Sequence, residues 1–199
     1  MLLVMDVGNS HTVLGLYEGD ALIAHWRVFT SHYRTADEMR ALVSSLFHLD
    51  GIPRERVEGC CVSSVVPQVN HSLLRASRDA FDLEPLFVGP GIRTGLVIKV
   101  ENPKEVGADR IVNCVAALED HDGPLIVVDF GTATTFDALN AKGEYQGGVI
   151  VPGIEISADA LYENCAKLPR VDIVKPERVI GKNTITHIRA GLTLSLIHI

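Results

Sequence analysis

The segment LIVVDFGTATTFDAL, residues 125–139, decides the fold class. An apolar run ends on Asp129, and Gly131 with a cluster of small residues then leads into a second apolar run. This pattern is typical of a buried strand that ends in a tight turn. The amino terminus repeats it in LLVMDVGNSHTVLGL, residues 2–16, with Asp6 and Gly8 in the corresponding positions.

The two copies predict an internal duplication. We expect two homologous halves, residues 1–115 and 116–193, each opening with a strand, a polar loop and a second strand. A single offset of 123 residues aligns three pairs: Asp6 with Asp129, Gly8 with Gly131 and Thr12 with Thr135.

The rest of the chain alternates between strand-like and helix-like segments, which indicates an α/β fold. Hairpins at the start of each half argue against a purely parallel sheet, so we predict mixed sheets. One helix is predicted over 35–49, with Thr35 as N-cap and Glu38 completing a capping box. Another is predicted over 154–168, after the strand that ends in GGVIVPG.

An aspartate at the end of a strand, followed by glycine and small polar residues, is suited to phosphate binding. Ligands of open α/β sheets bind at the carboxyl ends of strands, and loop N–H groups there can converge on phosphate oxygens. We expect the hydroxyls of Ser10 and Thr12 to add donors, and Asp6 to hold Mg²⁺ through water. The simpler alternative is that Asp-x-Gly only marks a turn.

The segment EVGADRIV, residues 105–112, is the second concentration of chemical groups. Asp109 and Arg110 lie side by side at the predicted start of a helix. The carboxylate can accept a hydroxyl proton, and the guanidinium can bind a substrate carboxylate through two hydrogen bonds. The alternative is that Asp109 only stabilises the helix N-terminus.

Composition narrows the class of function. The formal net charge of −7 is distributed without a basic patch, so a nucleic-acid partner is not expected. No apolar stretch reaches the roughly 20 residues that cross a bilayer, and no signal peptide is evident, so we expect a cytoplasmic protein. The four cysteines have neither metal-ligand nor disulfide spacing and are expected to be reduced.

Other phosphate motifs fail. The segment IGKNT has Pro176 where a P-loop needs its first glycine. The segment GPGIRTG, residues 89–95, has a glycine spacing one residue too long for a dinucleotide fingerprint. A dinucleotide-binding module is therefore disfavoured.

Five motifs in order, DVGNS, GADR, DFGTATT, GGVIVPG and GKNT, resemble the type III pantothenate kinases of the acetate and sugar kinase/heat-shock/actin superfamily. The resemblance implies two duplicated actin-like (ribonuclease H-like) ATPase halves, usually in a homodimer. It implies ATP-dependent phosphorylation of pantothenate to 4′-phosphopantothenate, the first step of coenzyme A biosynthesis, with Mg-ATP and a monovalent cation, K⁺ or NH₄⁺.

The resemblance also implies roles for individual residues. Asp109 would be the general base for in-line attack on the γ-phosphate, and Asp129 would hold the monovalent cation. Thr184 would contact pantothenate together with Gly107, Ala108, Asp109 and Arg110. The ATP site would be formed by Asp6, Val7, Gly8, Asn9, Ser10, His11, Thr12, Val13 and Thr132.

Two departures from the family pattern qualify these expectations. Val100 stands where family members often carry a tyrosine over the pantothenate pocket. The second half is expected to be truncated at its C-terminus, with residues 194–199 a non-native tail from a translated sequencing adapter. We therefore expect the 199-residue chain to be a poor enzyme, or poorly soluble, as expressed.

Two alternatives remain open. One is a kinase for another small hydroxy substrate, which would keep both phosphate loops. The other is a non-catalytic nucleotide-binding regulatory homologue.

Overall fold

The structure is a computed structural model that describes residues 1–89 and 91–198. Pro90 of the GPGIRTG segment and Ile199 of the expected tail lie outside these residues. Within them, no helix combines the length and apolar character needed to cross a bilayer. The chain divides into two compact units, Met1–Asp122 and Gly123–Ile199. The boundary expected at 115/116 lies inside a helix of the first unit.

The first unit is built on a mixed five-stranded sheet. The strands are β1 (Leu2–Val7), β2 (His11–Glu18), β3 (Ala21–Phe29), β4 (Gly59–Ser64) and β5 (Leu86–Phe87), and the helices are α1 (Ala36–Leu49), α2 (Pro67–Phe81) and α3 (Ala108–Asp120). The strand order is β3-β2-β1-β4-β5. Strand β1 pairs antiparallel with β2 and parallel with β4, so the predicted mixture of strand directions is confirmed in this sheet.

One face of this sheet forms the core of the first unit. Alternate residues of β1, namely Leu3, Met5 and Val7, are fully buried, because side chains of a strand point alternately to the two faces. Helices α1 and α2 contribute the other side of this core through Phe47 and Leu73. Helix α1 begins as predicted, with reciprocal capping between Thr35 and Glu38.

The second unit contains a three-stranded antiparallel sheet with two helices. The elements are β6 (Leu125–Phe130), β7 (Ala133–Leu139), β8 (Tyr145–Pro152), α4 (Ile154–Asn164) and α5 (Thr184–His198). The strand order is β6-β7-β8. Helix α4 ends at Asn164, although it was predicted to continue to residue 168. The backbone of Cys165 is extended, and a tight turn follows before Pro169, which disfavours helix at the residue preceding it.

The strand registers show which threonines correspond in the two units. Val7 pairs with Thr12, and the equivalent Phe130 pairs with Thr134. The expected equivalence of Thr12 with Thr135 is therefore wrong by one residue, because the second turn is one residue shorter. Burial agrees with the corrected pairing, since Thr12 and Thr134 are 2% and 1% exposed.

Candidate active site

The loop after β1 is held at the carboxyl end of the sheet. The Gly8 N–H donates to the His11 carbonyl oxygen at 3.0 Å, and the Thr30 N–H donates to the Ser10 carbonyl oxygen at 3.0 Å. A Cβ at Gly8 would lie 3.2 Å from the His11 oxygen, so the close turn is the reason for a glycine here. Asp6 lies on the exposed side of β1, where a ligand can reach its carboxylate.

The predicted ATP-site residues differ in what they can offer a ligand. The side chain of Val7 is buried in the core, so only its backbone is available. The His11 ring packs edge-on against Phe29, with ring centroids 6.0 Å apart. Asn9 is exposed, while Ser10 and Val13 are half-buried.

The hydroxyl of Thr12 is bonded to another side chain of the first unit. It lies 2.8 Å from the hydroxyl of Thr30 in a buried pair. This hydroxyl therefore joins β2 to the end of β3, and the expectation that it donates to phosphate is not supported by its position. Thr30 was missed in the sequence, where nothing marks a threonine as the partner of a residue 18 positions earlier.

The start of α3 lies against the end of β4. The Val65 N–H donates to the Val7 carbonyl oxygen at 3.1 Å, and a Cβ built on Gly107 would be 3.7 Å from Val65 Cγ1. The residues preceding Asp109 are thus placed beside the strand that leads into the first loop. This arrangement lies entirely within the first unit.

The carboxylate of Asp109 is oriented by contacts within the first turn of α3. Gly107 is the N-cap and provides no side chain, and Asp109 Oδ1 accepts a hydrogen bond from the Arg110 N–H at 2.8 Å. A Cβ on Gly107 would overlap Asp109 Oδ1. The glycine therefore leaves room for the carboxylate, which is the group proposed as a base. Ala108 is buried beneath it.

The second loop, after β6, is closed against the start of α4. The Gly131 N–H donates to the Ala133 carbonyl oxygen, and the Gly153 N–H donates to the Thr132 carbonyl oxygen, both at 3.0 Å. A Cβ on Gly153 would overlap the carbonyl oxygens of Gly131 and Thr132. The last glycine of GGVIVPG is thus required by a close approach to this loop. Thr132 and Asp129 are exposed.

Thr184 is the first residue of α5 and is exposed. Hydrogen bonds within residues 182–186 hold the start of this helix. The Thr186 N–H donates to Asn183 Oδ1 at 2.9 Å, and Thr186 Oγ1 accepts from the Lys182 and Asn183 N–H groups. The backbone before Thr184 is therefore fixed by its own side chains.

Ser63 is a further residue at this end of the first sheet that the sequence did not reveal. It is 6% exposed, and its hydroxyl has no hydrogen-bond partner within residues 1–89 and 91–198. Ser63 pairs in register with Asp6 across the parallel strands β4 and β1. The sequence does show a polar residue near the end of the apolar segment GCCVSSVV. Its spacing does not reveal that Asp6 is its neighbour on β1.

The carboxylate of Asp6 is suited to a metal ion that arrives together with a nucleotide. In the described part of the chain, no group of three or more His, Cys, Asp and Glu side chains could hold a metal. Mg²⁺ usually keeps several waters and binds through one or two carboxylates plus substrate phosphates. A single exposed carboxylate such as Asp6 matches that chemistry.

The cysteines of β4 are unreactive by environment. Burial raises the pKa of the Cys60 thiol to about 11, and burial also raises the pKa of Cys61. Thiolate is the nucleophilic form, so neither thiol is suited to catalysis at neutral pH. Cys114 is buried and Cys165 is half-buried, and all four are free thiols.

Comparison with known sequences gives a consistent result. A sequence model of the family described as type III pantothenate kinase matches residues 2–199. A type III pantothenate kinase from Anaeromyxobacter sp. (strain Fw109-5) is 57% identical over 192 residues, covering 96% of this chain and 76% of the relative. One from Exiguobacterium sp. (strain ATCC BAA-1283 / AT1b) is 54% identical over 191 residues, covering 96% of this chain and 75% of the relative.

Solved structures agree on the fold. A conserved protein from Campylobacter jejuni, described as a Baf family transcriptional activator, superposes with a TM-score of 0.60 at 17% identity, covering 98% of this chain and 76% of its own. A protein from Sinorhizobium meliloti described as a 2-dehydro-3-deoxygalactonokinase gives a TM-score of 0.57 at 12% identity, covering 99% and 78%. At these identities the likeness shows the fold alone.

Proposed function

The chain belongs to the type III pantothenate kinase family, and from this membership we propose that it phosphorylates pantothenate with ATP to give 4′-phosphopantothenate and ADP. This reaction begins coenzyme A biosynthesis. The observation that carries the proposal is the match to family relatives over 96% of the chain. The position of the GADR segment beside the first loop supports it.

Asp109 is proposed as the general base. It accepts the proton of the primary alcohol of pantothenate as the alcohol oxygen attacks the γ-phosphorus in line. The hydrogen bond from the Arg110 N–H at 2.8 Å holds the carboxylate in one orientation. Phosphoryl transfer depends mainly on positioning and electrostatic stabilisation, so a fixed orientation matters more than strong basicity. The Arg110 guanidinium is proposed to bind the pantothenate carboxylate.

Residues 6–13 of the first unit are proposed to contact ATP. The backbone of this loop and the exposed side chain of Asp6 would contact the nucleotide, while Thr12 would act by fixing the strand through its bond to Thr30. When bound with the nucleotide, Mg²⁺ neutralises charge on the transferring phosphoryl group. Asp6 is the residue that would hold it, through water. In the second unit, Thr132 is proposed to contact ATP.

The finer assignments follow the family. Asp129 is proposed to hold a monovalent cation, and Thr184 is proposed to contact pantothenate. The protein is proposed to act as a homodimer in the cytoplasm. Asp129→Asn should weaken activation by K⁺ without abolishing ATP binding. For the proposed homodimer, sedimentation of the unaltered protein at micromolar concentration should give twice the mass of one chain. Potassium activation identical to that of the unaltered protein would exclude Asp129 as the ligand.

The central experiment compares the unaltered protein with Asp109→Asn. ADP release with pantothenate should fall by about 10²- to 10⁴-fold, because proton acceptance is lost while the shape is kept. ATP affinity, measured by calorimetry, should change little.

The outcomes separate the alternatives. A panel of acceptor alcohols that shows a preferred substrate other than pantothenate would identify a different small-molecule kinase. ATP binding without turnover in both the unaltered and substituted proteins would identify a regulatory homologue. Either result would refute the proposed function.

A further inference from the structure

Ser63 and Asp6 occupy neighbouring positions on one face of the first sheet. Parallel strands β1 and β4 pair Leu3 with Cys60, Met5 with Val62 and Asp6 with Ser63. The first two pairs belong to the buried core formed with α1 and α2. Because side chains alternate between faces, Asp6 and Ser63 share the opposite face.

That face is covered at β4 and open at β1. Helix α3 packs against β4, and its first turn carries Asp109. Ser63 is consequently buried, with 6% exposure, whereas Asp6 is exposed. The Ser63 hydroxyl therefore lies at the inner edge of a polar region bordered by Asp6 and the start of α3.

A buried hydroxyl without a partner requires a physical reason. Polar groups in protein interiors are nearly always hydrogen-bonded, and a group left unsatisfied loses its hydration without compensation. Among residues 1–89 and 91–198 the Ser63 Oγ has no partner. Neighbouring strands are about 4.8 Å apart, which leaves room for a ligand oxygen or a water between the two side chains.

We propose that the Ser63 hydroxyl is a positioning residue for the hydrated Mg²⁺ of the bound nucleotide, donating a hydrogen bond to a water of the shell that Asp6 also holds. The proposal rests on the proposed function, because Mg-ATP is the ligand that this family uses. It extends that function by assigning a second protein contact to the metal's hydration shell.

The test uses Ser63→Ala, with ATP affinity measured by calorimetry in the presence of Mg²⁺ and again with a chelator. In Mg²⁺ the dissociation constant should rise ~5- to 10-fold, as expected for one hydrogen bond. With the chelator it should match that of the unaltered protein. The melting temperature without ligand should stay the same or rise, because the substitution removes no bond of the unliganded protein.

Ser77→Ala is the matched control. Ser77 is also a buried serine, 2% exposed, but its hydroxyl lies 4.0 Å from the Cys60 sulfur on the core side of β4. Its substitution should leave the Mg²⁺ dependence of ATP binding unchanged.

Each remaining result has a defined meaning. If Ser63→Ala keeps full affinity for Mg-ATP, or if it lowers the unliganded melting temperature and weakens ATP binding equally with and without Mg²⁺, the inference is refuted. If the unaltered protein binds ATP equally well with and without Mg²⁺, the inference is refuted, whereas the proposed function is refuted only by the turnover experiments described above.

Discussion

The hydroxyl oxygens of Thr12 and Thr30 lie 2.8 Å apart in the interior of the first unit, where the two residues are 2% and 5% exposed. Each hydroxyl satisfies the other beside the candidate ATP loop. Thr12→Val keeps the shape but leaves the Thr30 hydroxyl buried without this partner. We expect the free energy of unfolding, from urea titration, to fall by about 1–3 kcal/mol.

The double variant Thr12→Val/Thr30→Val serves as the control for this pair. Removing both hydroxyls leaves no orphaned group, so part of the lost stability should return. Additive losses in the two single variants and the double variant would show that the hydroxyls do not depend on each other.

Gly107→Ala should impair catalysis more than folding. The φ of Gly107 is −59°, which alanine adopts readily, but the added Cβ would overlap Asp109 Oδ1. The carboxylate is the end of a flexible side chain and can rotate away, so unfolding stability should change little. Loss of the oriented base should lower kcat by at least ~10-fold. Loss of stability with kcat retained would contradict the proposed position of the base.

Local sequence signals predicted the elements of the fold well. The reciprocal bonds between Thr35 and Glu38 at the start of α1 are confirmed, because a capping box depends only on residues three apart. The mixed strand directions are confirmed in the first sheet, whereas the three strands described in the second sheet are all antiparallel. Helix α4 was predicted too long because Cys165 and Leu168 continue the helical spacing, whereas the backbone had already turned toward Pro169.

For the candidate site, too, short continuous segments could be predicted and contacts between distant strands could not. Motif order indicated the loops and the GADR helix start, because each is a short continuous segment. The bond between Thr12 and Thr30 could not be predicted, since it depends on the pairing of β2 with β3. The position of Ser63 beside Asp6 could not be predicted either, since it depends on the pairing of β1 with β4. Contacts across such sequence separations are set by the whole sheet and leave no local pattern.

The raised pKa of the Cys60 thiol should make the free energy of unfolding fall at alkaline pH. Its folded pKa is raised by burial to about 11, whereas an unfolded thiol ionises near 8.5. The stability associated with the protonated thiol is therefore complete below pH ~8.5 and is lost as pH rises toward 11. The loss is on the order of 3 kcal/mol.

Cys60→Ala separates this effect from other alkaline titrations. The other titratable groups are common to both proteins, so the difference between their stability losses from pH 7.5 to pH 10.5 reports Cys60 and its interaction with Cys61. The unaltered protein should lose more stability than the variant over this range. Equal losses would show that the folded thiol ionises as readily as the unfolded one.

Gly153→Ala should disturb the second loop directly. The glycine has φ −64° and ψ 163°, so alanine suits the backbone, but its Cβ would overlap the carbonyl oxygens of Gly131 and Thr132. These are backbone atoms and cannot rotate away, so either the loop or the start of α4 must move. Overpacking of this kind usually costs about 1–3 kcal/mol of unfolding free energy.

Gly191→Ala is the matched control in the same unit. Gly191 lies within α5, and a Cβ there would meet no atom within 4 Å. Alanine should leave stability unchanged or raise it by up to ~1 kcal/mol through helix propensity. We therefore expect Gly153→Ala alone to lower both stability and ATP affinity, measured by thermal denaturation and calorimetry. If Gly153→Ala behaves like Gly191→Ala in both measurements, the packing of α4 against residues 131–132 does not position the loop, and the proposed contact of Thr132 with ATP loses its structural support.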